Sequence, residues 1–103
     1  MNDLSTLLSL IETKKVLING LEDIQKKIIN YEEKIKNTSN VVAVEEYKKK
    51  KKQCENVEIL IRCCIRKVDV CIEKDRNGED YYPDFMDFVL IVEQLKIQNN
   101  DPY

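Results

Sequence analysis

Four cysteines, Cys54, Cys63, Cys64 and Cys71, are the side chains best suited to covalent chemistry, and the chain has no histidine to serve them. A cysteine nucleophile acts as the thiolate and needs a neighbouring base or cation to generate it. Structural zinc sites draw on Cys and His in spacings such as C-x-x-C. No C-x-x-C pair occurs here. Cys64 and Cys71 stand seven residues apart, and Cys54 falls on the same helical stripe. That is the placement of small buried hydrophobes, which is how most free cysteines behave. Cys63 lies beside the stripe and is the expected exposed thiol. The carboxylates all have ordinary surface roles. The expectation is therefore no catalytic residue, no metal ligand and no cofactor.

Two charged runs invite a functional reading. The first is "EKDRNGEDYYPD" at 73–84. Its opening six residues resemble the first half of an EF-hand calcium loop. With Gly78 at the sixth position, Glu73, Asp75 and Asn77 fall at the first, third and fifth. The resemblance implies a calcium-responsive helical switch. It covers only those residues: Asp80 stands where a hydrophobe belongs, Pro83 and Asp84 occupy the last two positions, and no second loop follows. A helix ending at Asn77-Gly78 and another beginning shortly afterwards account for the same residues.

The second run is "KKKKK", Lys48, Lys49, Lys50, Lys51 and Lys52. Clustered cations make phosphate contacts, so a small nucleic-acid-binding regulator is one alternative. Five consecutive lysines on a helix point in all directions, however. Glu45 and Glu46 dilute them, no Arg is near for bidentate base reading, and the pI of about 5.2 is that of an acidic protein. A solvated helix turn, offering a basic patch to an acidic protein partner, is the preferred reading.

These residues sit on an all-α frame. The 103-residue chain suits a single helical domain, 1–103, and its two Gly and two Pro are too few for a turn-rich β fold. Leu17, Leu21, Ile24, Ile28, Tyr31 and Ile35 alternate at four and three residues, one side of a helix. Leu4, Leu7, Leu8 and Ile11 extend it upstream, with Asp3 as N-cap. A helix over about 4–36, kinked or continuous at Asn19-Gly20, follows. "NTSN" at 37–40 makes the turn, and Ser39 or Asn40 caps a second helix over about 41–76. Tyr47, Cys54, Val57, Ile61, Cys64, Val68 and Cys71 form its stripe, with Lys50 filling one slot. Pro83 opens a third helix over about 83–98, its face made by Phe85, Phe88, Val92 and Leu95 with Val89 beside them. The β-branched run over 57–74 also admits a strand reading, but no other segment alternates as a partner strand would. Acidic-then-basic pairs at i, i+4, such as Glu22/Lys26 and Glu46/Lys50, support helices.

Folding the first two helices antiparallel sets Leu17 near Leu60 and Ile11 near Arg66. Folding again at 77–82 sets Phe88 near Cys71 and Leu95 near Cys64. The third helix then covers only the far half of the second. There the second helix is apolar on two faces (Ile59, Leu60, Ile61, Cys64, Ile65, Val68 and Ile72). One end is a three-helix bundle and the other a coiled-coil-like two-helix projection. Its stripe, Leu21, Ile24, Ile28, Tyr31 and Ile35 with Tyr47 opposite, should stay partly exposed unless a partner covers it. Residues 14–52 carry 11 basic and 6 acidic side chains, whereas residues 73–103 carry 3 and 8. Antiparallel self-association would bring these unlike ends together.

The expected role is a protein–protein interaction module (adaptor, subunit or inhibitor), with a protein partner, itself, or both. No apolar run is long enough for a membrane span. No secretory signal is read at the N-terminus, so reduced thiols in a cytoplasmic setting are expected, with the nucleus open. The excess of Lys over Arg, 14 to 3, with abundant Asn and Ile, fits an AT-rich genome such as that of a virus, phage or parasite.

Overall fold

The computed structural model describes residues 4–100, and the side chains of residues 6–97. Three helices follow one another: α1 Leu4–Asn37, α2 Val41–Arg76 and α3 Tyr82–Asn100. No strand occurs among the described residues. The cap expected at Asp3 lies outside them. α1 runs unbroken through Asn19-Gly20.

Local chemistry sets the breaks. Asn40 caps α2, its side-chain oxygen accepting from the Val42 and Ala43 N–H groups at 3.0 and 3.2 Å. α2 closes in a Schellman arrangement. The Glu79 N–H reaches the Lys74 carbonyl at 2.8 Å and the Gly78 N–H the Asp75 carbonyl at 3.2 Å. Gly78 takes the left-handed conformation this needs, φ 71°. The Asp80 carboxylate then accepts from the Tyr82 N–H at 3.0 Å, and the Tyr81 carbonyl from the Phe85 N–H, which starts α3.

α1 and α3 both pack on α2, and no Cα of α1 comes within 8 Å of one in α3. α2 is thus the shared member of the three-helix end. Leu10, Val68, Cys71 and Ile72 form one buried cluster, with Leu7, Ile11, Leu17, Tyr81 and Phe88 against it. Ile24, Cys54, Val57 and Ile61 form a second, flanked by Leu17, Leu21, Ile28, Tyr31, Ile65 and Leu95. Burying one such aliphatic side chain stabilises by about 1.5–3 kcal/mol, so the hairpin is held mainly by this seam. The molecule measures 59 × 19 × 15 Å.

The α1–α2 register runs further along α2 than expected. Lys14 pairs with Asp69, Gln25 with Glu58, and Glu32 with Lys51. Ile11 packs against the cluster of Val68, Cys71 and Ile72 and shares a groove with Asp69 and Arg76, beyond the level of Arg66. Side chains lean toward their helix N-terminus, and in an antiparallel pair the two leans add. Between α2 and α3, Phe88 packs near Cys71 as expected, while Leu95 reaches the cluster one turn beyond Cys64. Two residues placed in apolar faces are more open than expected: Ile59 is exposed, and so is Phe85. Among the described residues the expected pairs Glu22/Lys26, Asp23/Lys27, Glu32/Lys36, Glu45/Lys49 and Glu46/Lys50 do not close to within 4 Å, whereas Glu58 and Arg62, at the same spacing, do at 3.3 Å. Glu32 instead crosses to Lys51 at 3.5 Å. An exposed pair gains too little to hold two long side chains in one geometry.

Candidate partner-binding surface

The expected binding residues fall into three settings. Ile24 is buried, at 8% exposure, within the hairpin's own core. Leu21, Ile28, Tyr31, Ile35 and Tyr47 are half-buried along the seam. The two tyrosines meet near the turn with ring centroids 6.3 Å apart, and the Lys34 ammonium lies over both rings at 5.4 and 5.6 Å.

The lysine run radiates as a helix must. Lys48, Lys49 and Lys52 are exposed, Lys51 crosses to Glu32, and Lys50 turns toward the groove on the other flank of the hairpin. That groove encloses about 250 Å³. Its floor is Ile24, Tyr31, Cys54 and Val57, and Lys27 and Lys50 stand at its rim. Neither lysine has a carboxylate within 4 Å among the described residues, whereas the opposite flank is laced by Lys14–Asp69 at 2.6 Å and Glu32–Lys51. On that opposite flank Ile18, Leu21 and Ile65 line a shallower groove between Arg62 and Arg66.

A surface absent from the expected set appears on α3. Tyr82, Met86, Leu90 and Ile97 are 66, 38, 62 and 56% exposed. Their spacing places them on one stripe, on the side of α3 opposite Phe88 and Leu95. Glu93 stands within that stripe. α3 is therefore apolar on two sides and packed on one. A helix apolar all round belongs in an interior. The spacing of this second stripe was readable, but the stripe through Phe88 and Leu95 already accounted for the helix.

Of the acids of 73–84, Asp80 and Asp84 take structural roles, whereas one Asp75 carboxylate oxygen is buried without a hydrogen-bond partner among the described residues. Glu73 and Asp75 lie in the last turn of α2. The Lys74 ammonium donates to Asp84 at 2.7 Å, and Lys67 approaches Asp84 and Asp87 at 3.7 and 3.2 Å. The bond from Lys74 holds the Asp84 carboxyl below its ordinary pKa, and the same bond raises Lys74. No group of three or more His, Cys, Asp or Glu side chains that could hold a metal ion occurs among the described residues.

All four cysteines are free thiols. Cys64 and Cys71 are fully buried. Burial, helped by the neighbouring Cys63, pushes Cys64 up to about 11. Burial likewise raises Cys54 and Cys71. Cys63 is half-exposed, its sulfur 3.1 Å from the Arg66 guanidinium.

Fold and surface together define an elongated all-α protein: a helical hairpin with a shorter third helix on one arm. Comparison with family models, curated proteins and solved structures gives no match to the chain. No described helix is long and apolar enough to cross a membrane.

Proposed function

We propose that this protein is a helical protein–protein interaction module, an adaptor, subunit or inhibitor that works in an intracellular setting and associates with itself through its hairpin. The observation that carries the reading is the mismatch in length between hairpin and third helix. α3 has 19 residues, and at 1.5 Å per residue spans ~28 Å of a molecule 59 Å long. Beyond its reach two helices must cover the seam alone. Ile28, Tyr31, Ile35 and Tyr47 are left half-buried there, and Leu21 is half-buried on the flank opposite α3. Apolar surface of this kind, rimmed by charge, is the usual mark of an interface. An interaction module needs no catalytic group.

The test is light scattering on reduced protein across a concentration series, at low and high salt, with a duplex oligonucleotide added in a parallel series. The expected result is a mass that rises above the 12.2 kDa of one chain with concentration. Salt should weaken the association, because unlike charged ends draw together. The oligonucleotide should leave it unchanged. A mass of 12.2 kDa at every concentration overturns self-association. Oligonucleotide binding that falls steeply with salt would instead favour a nucleic-acid role for Lys48, Lys49 and Lys52.

A further inference from the structure

The outer stripe of α3 and the groove at Lys27 and Lys50 are complementary, and one chain cannot join its own. The groove lies on the flank of the hairpin that carries α3. α3 covers this flank as far as the cluster that holds Val57 and Ile61, against which Leu95 packs. The groove opens next, from Val57 and Cys54 to Lys50 and Tyr31. It is a vacant continuation of the bed that α3 occupies, apolar in its floor and basic at its rim. The outer face of α3 has the opposite character. Leu90 and Ile97 project there with Glu93 between them, 60% exposed and 3.6 Å from Lys96 of the same helix, and Asp87, 57% exposed, stands at the edge of that face 3.2 Å from Lys67.

We infer that two copies of this chain form a two-fold dimer in which the outer face of each α3 seats in the Lys27–Lys50 groove of the other. This deepens the self-association proposed above and rests on it. The two hairpins lie antiparallel, and the two α3 helices meet nearly end to end in the layer between them. Each α3 keeps its inner face, Phe88 and Leu95, on its own α2. Its outer residues Leu90, Glu93 and Ile97 enter the partner's groove, so that Glu93 faces the partner's Lys50. Such a contact is self-complementary and closes at two copies. It places the acidic end of one chain on the basic end of the other. It covers the Lys27–Lys50 groove and the outer stripe of α3 at once. A pairing of α3 with α3 along its length would instead set Asp87 and Glu93 against like charges.

The test is a charge exchange read by sedimentation equilibrium. Glu93→Lys and Lys50→Glu change side chains outside both buried clusters, and circular dichroism checks that each variant keeps its helices. Two-fold symmetry makes each substitution count twice. With an exposed ion pair contributing up to about 1 kcal/mol, either variant should weaken dimerisation about tenfold or more. The combined variant re-forms the pair with reversed polarity and should return to within a few-fold of the original. Leu90→Gln should weaken dimerisation without any charge change. If the unmodified protein dimerises and ignores all three substitutions, the hairpin reading stands and this arrangement falls. A combined variant no tighter than the single ones also sinks it. A chain that stays monomeric sinks both readings. A monomer that binds an added acidic amphipathic helical peptide shows that the groove serves a foreign helix and not a second copy.

Discussion

Replacing Gly20 by alanine should make the protein more stable, by an amount that follows from where Gly20 lies. It sits in the interior of α1, seventeen residues before the helix ends at Asn37. Its φ is not positive; among the described residues only Gly78 has that property. A β-carbon built at Gly20 would meet the Ile61 Cδ1 atom at 4.0 Å, an ordinary van der Waals contact. Alanine therefore fits without strain and adds a touch of packing against the second cluster. Glycine in a helix interior costs about 0.8–1 kcal/mol relative to alanine, largely through the freedom of the unfolded chain. The expected gain is about 1 kcal/mol. For a domain near 100 residues the unfolding entropy is about 0.2 kcal/mol per kelvin, so Tm should rise by about 5 °C. The assay is thermal and urea unfolding followed by circular dichroism, at one fixed protein concentration because association shifts Tm. An unchanged or lower Tm would refute the reasoning and would show that Asn19-Gly20 must bend.

The other glycine should behave in the opposite way. Gly78→Ala forces a β-carbon into the left-handed region and should lower stability by about 1–2 kcal/mol in the same urea experiment; a neutral result would mean that the α2–α3 turn readily takes another shape. Asp84 has its pKa lowered in the folded state, so its pairing with Lys74 stabilises above the carboxylate's unfolded pKa of about 4. That contribution is lost as pH falls through the lower folded value. Asp84→Asn should flatten this acid limb of a stability-against-pH curve; an identical limb would count against the pairing. With a thiol reagent near pH 8, mass spectrometry should find one rapid adduct, at Cys63, while Cys64 and Cys71 react only after unfolding. Rapid labelling of Cys64 would mean that the core opens readily.

Much of the frame was legible because helices announce themselves locally. The four-three spacing from Leu17 to Ile35 specifies a helix face wherever it occurs. Asn40 and Asn77-Gly78 carry their capping chemistry in their own side chains and backbone. The likeness of 73–78 to a calcium loop is a local signal with two readings. Acids followed by Asn-Gly serve a helix terminus as well as a metal, and Glu73 and Asp75 lie in the helix itself. The seam residues were legible as apolar, but their degree of cover was not. Ile24 is sealed within the hairpin, while Ile28 and Tyr31 are left half-open beside it.

By itself the sequence determined three helices, their antiparallel order and the shortness of the third, since period, caps and loop length are properties of neighbouring residues. The tertiary structure decided which flank of α2 holds α3. It thereby decided that Lys27 and Lys50 rim an open groove, that Asp84 meets Lys74 and Lys67, and that Tyr82, Met86, Leu90 and Ile97 face outward. Those outcomes depend on residues far apart in the chain competing for the same surface. A helix with two apolar faces cannot show, from its own spacing, which of them its own chain will cover.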